Sequence, residues 1–142
     1  RVEKNSFISK FKIAMDSLHV CWQDASDKNC GRCDKCFRTM ITLLLLDALD
    51  DCSAFMQKTV SNDEMGRLYC SSDSSIMFLD EIVNFAISKG DLEVSEAVSK
   101  SIRNSRRINK RLPFVNMLRN NWPFRRIGVL IYKAMFKNLI YR

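Results

Sequence analysis

Four cysteines within sixteen residues, Cys21, Cys30, Cys33 and Cys36, constrain this chain more than any other feature; they are written C-x8-C-G-R-C-D-K-C. A tetrahedral ion needs four thiolates converging at about 2.3 Å each, and a C-x2-C turn presents two of them from one tight loop. Gly31, directly after the second cysteine, suits the positive φ or the close approach to sulfur that such a knuckle requires. The spacing predicts a metal site with these four cysteines as ligands. Disulfides are the competing use of an even cysteine count, six in this chain. Cysteines this close in sequence are poorly placed to pair with each other, and the expected compartment is a reducing one. Buried free thiols would be expected among apolar residues, whereas these sit among Asp24, Asp27, Lys28, Asn29, Arg32, Asp34 and Lys35.

Zinc is the preferred metal. The alternative is an iron–sulfur cluster, because Cys30, Cys33 and Cys36 form a C-x2-C-x2-C run with Cys21 as the outlying fourth ligand. The proline that often follows the last cysteine of such a run in bacterial ferredoxins is absent. His19, the single histidine, lies two residues before Cys21 and is a candidate to support the ligands from behind, as is Arg38. Cys52 and Cys70 have no C-x2-C partner and read as ordinary buried thiols. Four thiolates saturate a tetrahedral ion and leave no open position for water, and the chain has no Ser/His/Asp set. No catalytic residue is assigned, and an enzyme acting alone is the least favoured reading.

A chain of 142 residues with 46% apolar content is large enough to fold around a modest core. It opens on Arg1 with no initiator methionine and with the knuckle close to its start. The expectation is a C-terminal fragment whose N-terminal part is missing. Charge is divided unevenly: residues 1–96 carry a net −5, whereas residues 97–142 hold 12 Lys/Arg and no acid. Such asymmetry points to an acidic partner, either nucleic acid or an anionic membrane surface, or to a solvated helical face. The expected location is cytoplasmic, with peripheral membrane contact as the variant.

The pattern along the chain is helical, and the expected fold is a small, mainly α domain. It has a four-cysteine zinc knuckle near the N-terminus and a basic amphipathic C-terminal helix. Ser6 is expected to cap a first helix running to about Asp16, with Phe7, Phe11, Ile13 and Ala14 as core contacts. Leu18 to Trp22 reads as an extended lead into the metal loop. From Asp34, the residues Cys36, Met40, Leu43, Leu44 and Ala48 have helical spacing. That helix places thiolates at an N-terminal dipole. Its run Ile41–Leu46 is apolar nearly all round, which argues for burial on several sides and for a further domain to cover it.

Ser72 or Asp73 is expected to cap another helix, with Gly90 just past its end. Asp91 opens the next, which turns basic at Arg106, Arg107, Lys110 and Arg111 and is expected to stop at Pro113. Pro123 suits the first position of a last helix. In that segment Ile127, Ile131, Met135 and Leu139 share one face, opposite Arg126, Lys133 and Lys137; Trp122, Phe124, Tyr132, Phe136 and Tyr141 border it. Arg125 adjoins this basic set, which can contact an anion or a membrane. Three regions result: 1–50 around the zinc loop, 51–112 helical, and 113–142 basic and amphipathic.

The string Cys21-Trp22…Asn29-Cys30-Gly31-Arg32-Cys33-Asp34-Lys35-Cys36-x-Arg38 resembles the C-terminal zinc loop of 7-cyano-7-deazaguanine synthases. These belong to the PP-loop ATP pyrophosphatase superfamily, and the chain is also similar to uncharacterised bacterial proteins that join such a loop to a PP-loop-like half. The resemblance covers about residues 18–40. It implies Cys21, Cys30, Cys33 and Cys36 as ligands of a structural zinc beside a substrate pocket. Val20 replaces the usual serine, and no Ser-Gly-Gly-x-Asp-Ser phosphate loop is present. ATP chemistry would therefore belong to a missing N-terminal nucleotide-binding domain. The preferred expectation is the zinc-binding C-terminal domain of a PP-loop-like ATP-dependent ligase or amidating enzyme. The alternatives are a zinc-knuckle module that grips nucleic acid with its basic half, and a peripheral membrane accessory protein of a bacterial polysaccharide pathway.

Overall fold

The computed structural model describes residues 1–23 and 28–139. Asp24 and Asp27 of the cysteine loop, and Tyr141 of the C-terminal segment, lie outside the described residues. The fold is helical, with seven helices and no strand among the described residues. These are α1 (Val2–Ile8), α2 (Lys12–Asp16), α3 (Asp34–Leu45), α4 (Asn62–Arg67), α5 (Asp73–Lys89), α6 (Leu92–Asn120) and α7 (Arg125–Phe136).

Helix α3 carries more buried residues than any other helix. Phe37, Met40, Ile41, Leu43 and Leu45 are all buried. Within the described residues α1 and α5 pack on α3, and Met15, Leu49, Cys52 and Phe55 belong to the same core cluster, while Leu44 and Leu46 of the run are half-buried.

The N-terminal expectation is corrected. Instead of one helix capped by Ser6, two short helices form, and the chain leaves helical geometry between them, with Phe11 extended (φ −119, ψ 111) as the N-cap of α2. The break changes which face looks inward. Phe7, Phe11 and Ile13 are exposed, and Met15 takes the core position. Phe7 and Phe11 pack on each other instead, with ring centroids 5.2 Å apart.

Helix α4 is opened by a capping box that the sequence reading passed over. The Ser61 hydroxyl accepts the Glu64 N–H, and the Glu64 carboxylate accepts the Ser61 N–H. The Ser72 side chain caps α5, which ends at Gly90 (φ 78), as the sequence predicts. The Asp91 carboxylate caps α6 by accepting the Val94 N–H at 3.0 Å.

Helix α6 does not stop at Pro113. It runs 29 residues with the proline inside it, about 44 Å at 1.5 Å per residue. Pro113 is exposed, while the helix beyond it is held by tertiary packing: Val115 is buried and α7 lies along this half. Packing of that kind outweighs the local cost of a proline in a helix. The first half of α6 carries α4 and α5, through buried Val94, Ala97, Val98 and Ile102. Two buried serines join it to the chain between α4 and α5. Ser101 donates to the Leu68 carbonyl at 2.7 Å, and Ser105 accepts the Cys70 N–H at 3.0 Å.

The last helix starts at Arg125, two residues after Pro123, and Phe124 is its N-cap. Its inward side is not centred on the Ile127–Ile131 face: Ile127 and Ile131 are exposed, whereas Gly128 and Phe136 are buried. The cause is a close crossing. A Cβ on Gly128 would lie 2.6 Å from the Arg119 backbone nitrogen, so α7 turns its one missing side chain toward α6.

Candidate metal centre

The cysteine knuckle and helix α3 are one continuous structure. Cys33 is the N-cap of α3, and its sulfur accepts the Cys36 N–H at 3.4 Å. The Cys30 sulfur accepts the N–H groups of Arg32 and Cys33 at 3.4 and 3.3 Å. Gly31 makes the turn possible with φ 66, a conformation that a Cβ disfavours. Three backbone donors therefore aim at two sulfurs.

Cys21 arrives from the non-helical residues 18–22, and Asn29 places it. The Asn29 side-chain oxygen accepts the N–H groups of Val20 and Cys21 at 2.8 and 3.1 Å. Its amide nitrogen donates to the carbonyls of Leu18 and Ala54 at 2.7 and 3.1 Å. The side chain thus satisfies four backbone groups, and Asn29 is itself buried. In the sequence it was only a polar neighbour of Cys30; its partners, at residues 18, 20, 21 and 54, leave no local signal.

The four sulfurs all lie within 4.8 Å of one another, and Cys30 and Cys36 are 3.8 Å apart. A tetrahedron with metal–sulfur bonds of about 2.3 Å has edges of about 3.8 Å. The donor set fits a single tetrahedral ion. Burial pushes the Cys33 and Cys36 thiols above the usual thiol range, so in the absence of a cation they keep their protons; a bound cation reverses that preference.

The other candidates are placed around this cluster. His19 is exposed and is not among the converging ligand atoms. Arg38 is buried one turn into α3, where it donates through Nε to the Asp34 carbonyl and through Nη2 to the Asp34 carboxylate, both at 3.1 Å. Asp34 also accepts the Ser75 hydroxyl at 3.1 Å and the Trp22 indole N–H at 3.3 Å. It ties the knuckle to α5. The Arg38 guanidinium lies over the Phe78 ring at 4.9 Å, and its Nη1 is buried without a hydrogen bond.

A cavity of about 540 Å³ opens beside this arginine. Arg1, Lys4, His19, Lys35 and Arg38 line it, with Phe78, Ile82 and Leu18 among its apolar walls, and no Asp or Glu among the described residues. Cys52 and Cys70 are buried thiols away from the cluster. Burial pushes the Cys70 thiol up to about 12.

The basic candidates lie elsewhere. Arg106, Arg107, Lys110 and Arg111 are on α6, Arg125, Arg126 and Lys133 on α7, and Lys137 is at its C-cap. Arg106 pairs with Asp80 and Arg103 with Glu96. No other cation of residues 97–139 has a carboxylate partner among the described residues. No helix of the described residues is long and apolar enough to cross a membrane.

Comparison with known protein families, curated proteins and solved structures yields no match.

Proposed function

We propose that the four cysteines hold one structural zinc ion, and that this ion fixes one wall of an anion-accepting pocket. One observation carries the reading: the ligand segments and the pocket wall are the same two pieces of chain. Leu18, His19 and Val20 lead directly into Cys21, and Lys35 and Arg38 flank Cys36 in the first turns of α3. Displacing the ligands displaces the pocket. The basic lining, and the unpaired Nη1 of Arg38, suit a phosphate or carboxylate, which an arginine binds through charge-assisted hydrogen bonds.

The sulfur spacing supports one ion over a cluster, which distributes its thiolate ligands over several irons. Zinc matches the thiolate set and brings no redox chemistry of its own. The likeness of residues 18–40 to the zinc loop of PP-loop synthases extends the reading. On it, the pocket is the substrate wall of an ATP-dependent ligase or amidating enzyme whose nucleotide-binding half lies outside these 142 residues.

The test is metal analysis with a visible spectrum on protein purified without oxygen. The expected result is one zinc per chain and no colour. Removing that zinc is expected to loosen residues 18–38 and the pocket together, because metal binding energy in such sites, of order 10 kcal/mol, is folding energy. A coloured protein containing iron overturns the zinc assignment. An apo form with unchanged helicity and melting temperature overturns the structural role. Exchange of labelled pyrophosphate into ATP by the full-length protein tests the ligase context separately.

A further inference from the structure

The hairpin of α6 and α7 has an outward surface that the metal centre does not use. At about 100° per residue, α7 divides into three sectors. Gly128 and Phe136 are buried, and Tyr132 and Met135 half-buried, on the side that faces α6. Arg126, Lys133 and Lys137 form a second, basic sector. Ile127, Leu130 and Ile131 form the third, and all are exposed, Leu130 at 67%. A helix packed on its protein by one face alone needs two sectors, not three.

The same composition continues around the tip. Trp122 is 89% exposed, and Phe124 beside it is also exposed. On α6, Phe114 and Met117 are exposed one and two turns beyond Lys110, on the same face. Arg119, Asn120, Trp122, Arg125 and Val129 surround a cleft of about 410 Å³ at this tip. Exposed apolar patches of this kind mark interaction sites, and the charge around this one has a single sign.

We propose that the α6–α7 hairpin docks on an anionic phospholipid surface, with Trp122, Ile127 and Leu130 entering the acyl boundary and the cleft between Arg119 and Arg125 receiving a headgroup phosphate. Each part of the surface has its counterpart there. Leu and Trp side chains partition into the boundary, while Lys and Arg beside them meet the anionic headgroups. Helix α7, 12 residues long and so about 18 Å, lies in the plane of the interface. A second copy of the chain is a poor occupant, because residues 97–142 carry a net +12 and two such surfaces repel. Nucleic acid accounts for the cations but not for the aliphatic strip.

The experiment uses the full-length protein with Trp22→Phe, which leaves Trp122 as the one tryptophan of residues 1–142. It is mixed with phosphatidylcholine vesicles with and without phosphatidylglycerol. The expected result is co-sedimentation only with the anionic vesicles, a shift of Trp122 emission to shorter wavelength, and quenching by brominated acyl chains. Leu130→Glu is expected to weaken binding about tenfold or more. Lys133→Ala and Lys137→Ala are each expected to weaken it about fivefold. These side chains are exposed, so the variants fold, and circular dichroism verifies it. Absence of sedimentation overturns the proposal. So does Trp122 emission already at short wavelength and shielded from iodide without vesicles, which would show another part of the protein covering the tip. Binding to a single-stranded RNA probe that survives Leu130→Glu, without vesicle binding, assigns the surface to nucleic acid instead.

Discussion

The side-chain oxygen of Asn29 accepts the backbone N–H of Cys21 at 3.1 Å, so the candidate ligand most distant in sequence is positioned by the residue just before the knuckle. Metal sites depend on such supporting groups almost as much as on the ligands themselves. Here one amide replaces what would otherwise be four separate anchors.

Replacing Asn29 by alanine is expected to lower metal affinity about 10- to 100-fold. It also orphans backbone groups of Leu18, Val20, Cys21 and Ala54, at a cost of about 1–3 kcal/mol for a buried group left unsatisfied. Asn29→Asp keeps the acceptor for Cys21 but loses both donated bonds, and should fall between. A competition titration with a chromophoric chelator measures the first effect and a thermal melt the second. Wild-type affinity in Asn29→Ala would remove Asn29 from the site.

Gly128→Ala offers a test in which two effects have opposite signs. Helix propensity alone favours alanine by about 1 kcal/mol. The new Cβ, however, would meet the Arg119 backbone nitrogen at 2.6 Å and the Leu118 carbonyl carbon at 2.9 Å, and overpacking typically costs about 1–3 kcal/mol. Net destabilisation in urea, with α7 displaced from α6, is the expected outcome. A stabilised variant would mean that the crossing is looser than described.

Ser105 is fully buried, and its hydroxyl is the acceptor for the Cys70 N–H. Ser105→Ala is expected to cost about 1–3 kcal/mol through that orphaned donor. Ser105→Cys, similar in size but a weaker acceptor, should cost nearly as much as alanine if the hydrogen bond dominates, and clearly less if volume dominates. Chemical denaturation of the two variants separates the contributions.

The capping box gives α4 a dependence on pH. Backbone and side-chain hydrogen bonds from Ser61 hold the Glu64 carboxyl below the usual glutamate range. A group depressed in the folded state contributes stability above its unfolded pKa and loses it as pH falls through the folded one. Stability should therefore decline on acidification across the carboxylate range, and part of that decline should be missing in Glu64→Gln. Identical acid profiles for the two proteins would show that the cap is not coupled to folding.

The parts of this molecule legible in the sequence are those fixed by residues close in the chain. The C-x2-C turns, Gly31 at a positive φ, Ser72 capping α5 and Asp91 capping α6 all act over a few positions, and each does what its spacing implies. The parts that were not legible depend on distant partners. Asn29 looks like any polar loop residue until residues 18 and 54 are beside it. Pro113 reads as a stop until packing against α7 outweighs the local cost. Gly128 looks like a weak point in a helix, yet it selects the face that turns inward, and so leaves Ile127 and Ile131 outside. Phe7 and Ile13 have the spacing of a core helix, but the chain breaks at Ser9–Phe11 and turns them outward.

Cys33 is both a candidate ligand and the N-cap of α3, the helix with the most buried residues. That helix therefore begins at a sulfur atom. An ion held by the four thiols would fix its starting register, and with it the places of Phe37, Met40 and Ile41 in the turns that follow.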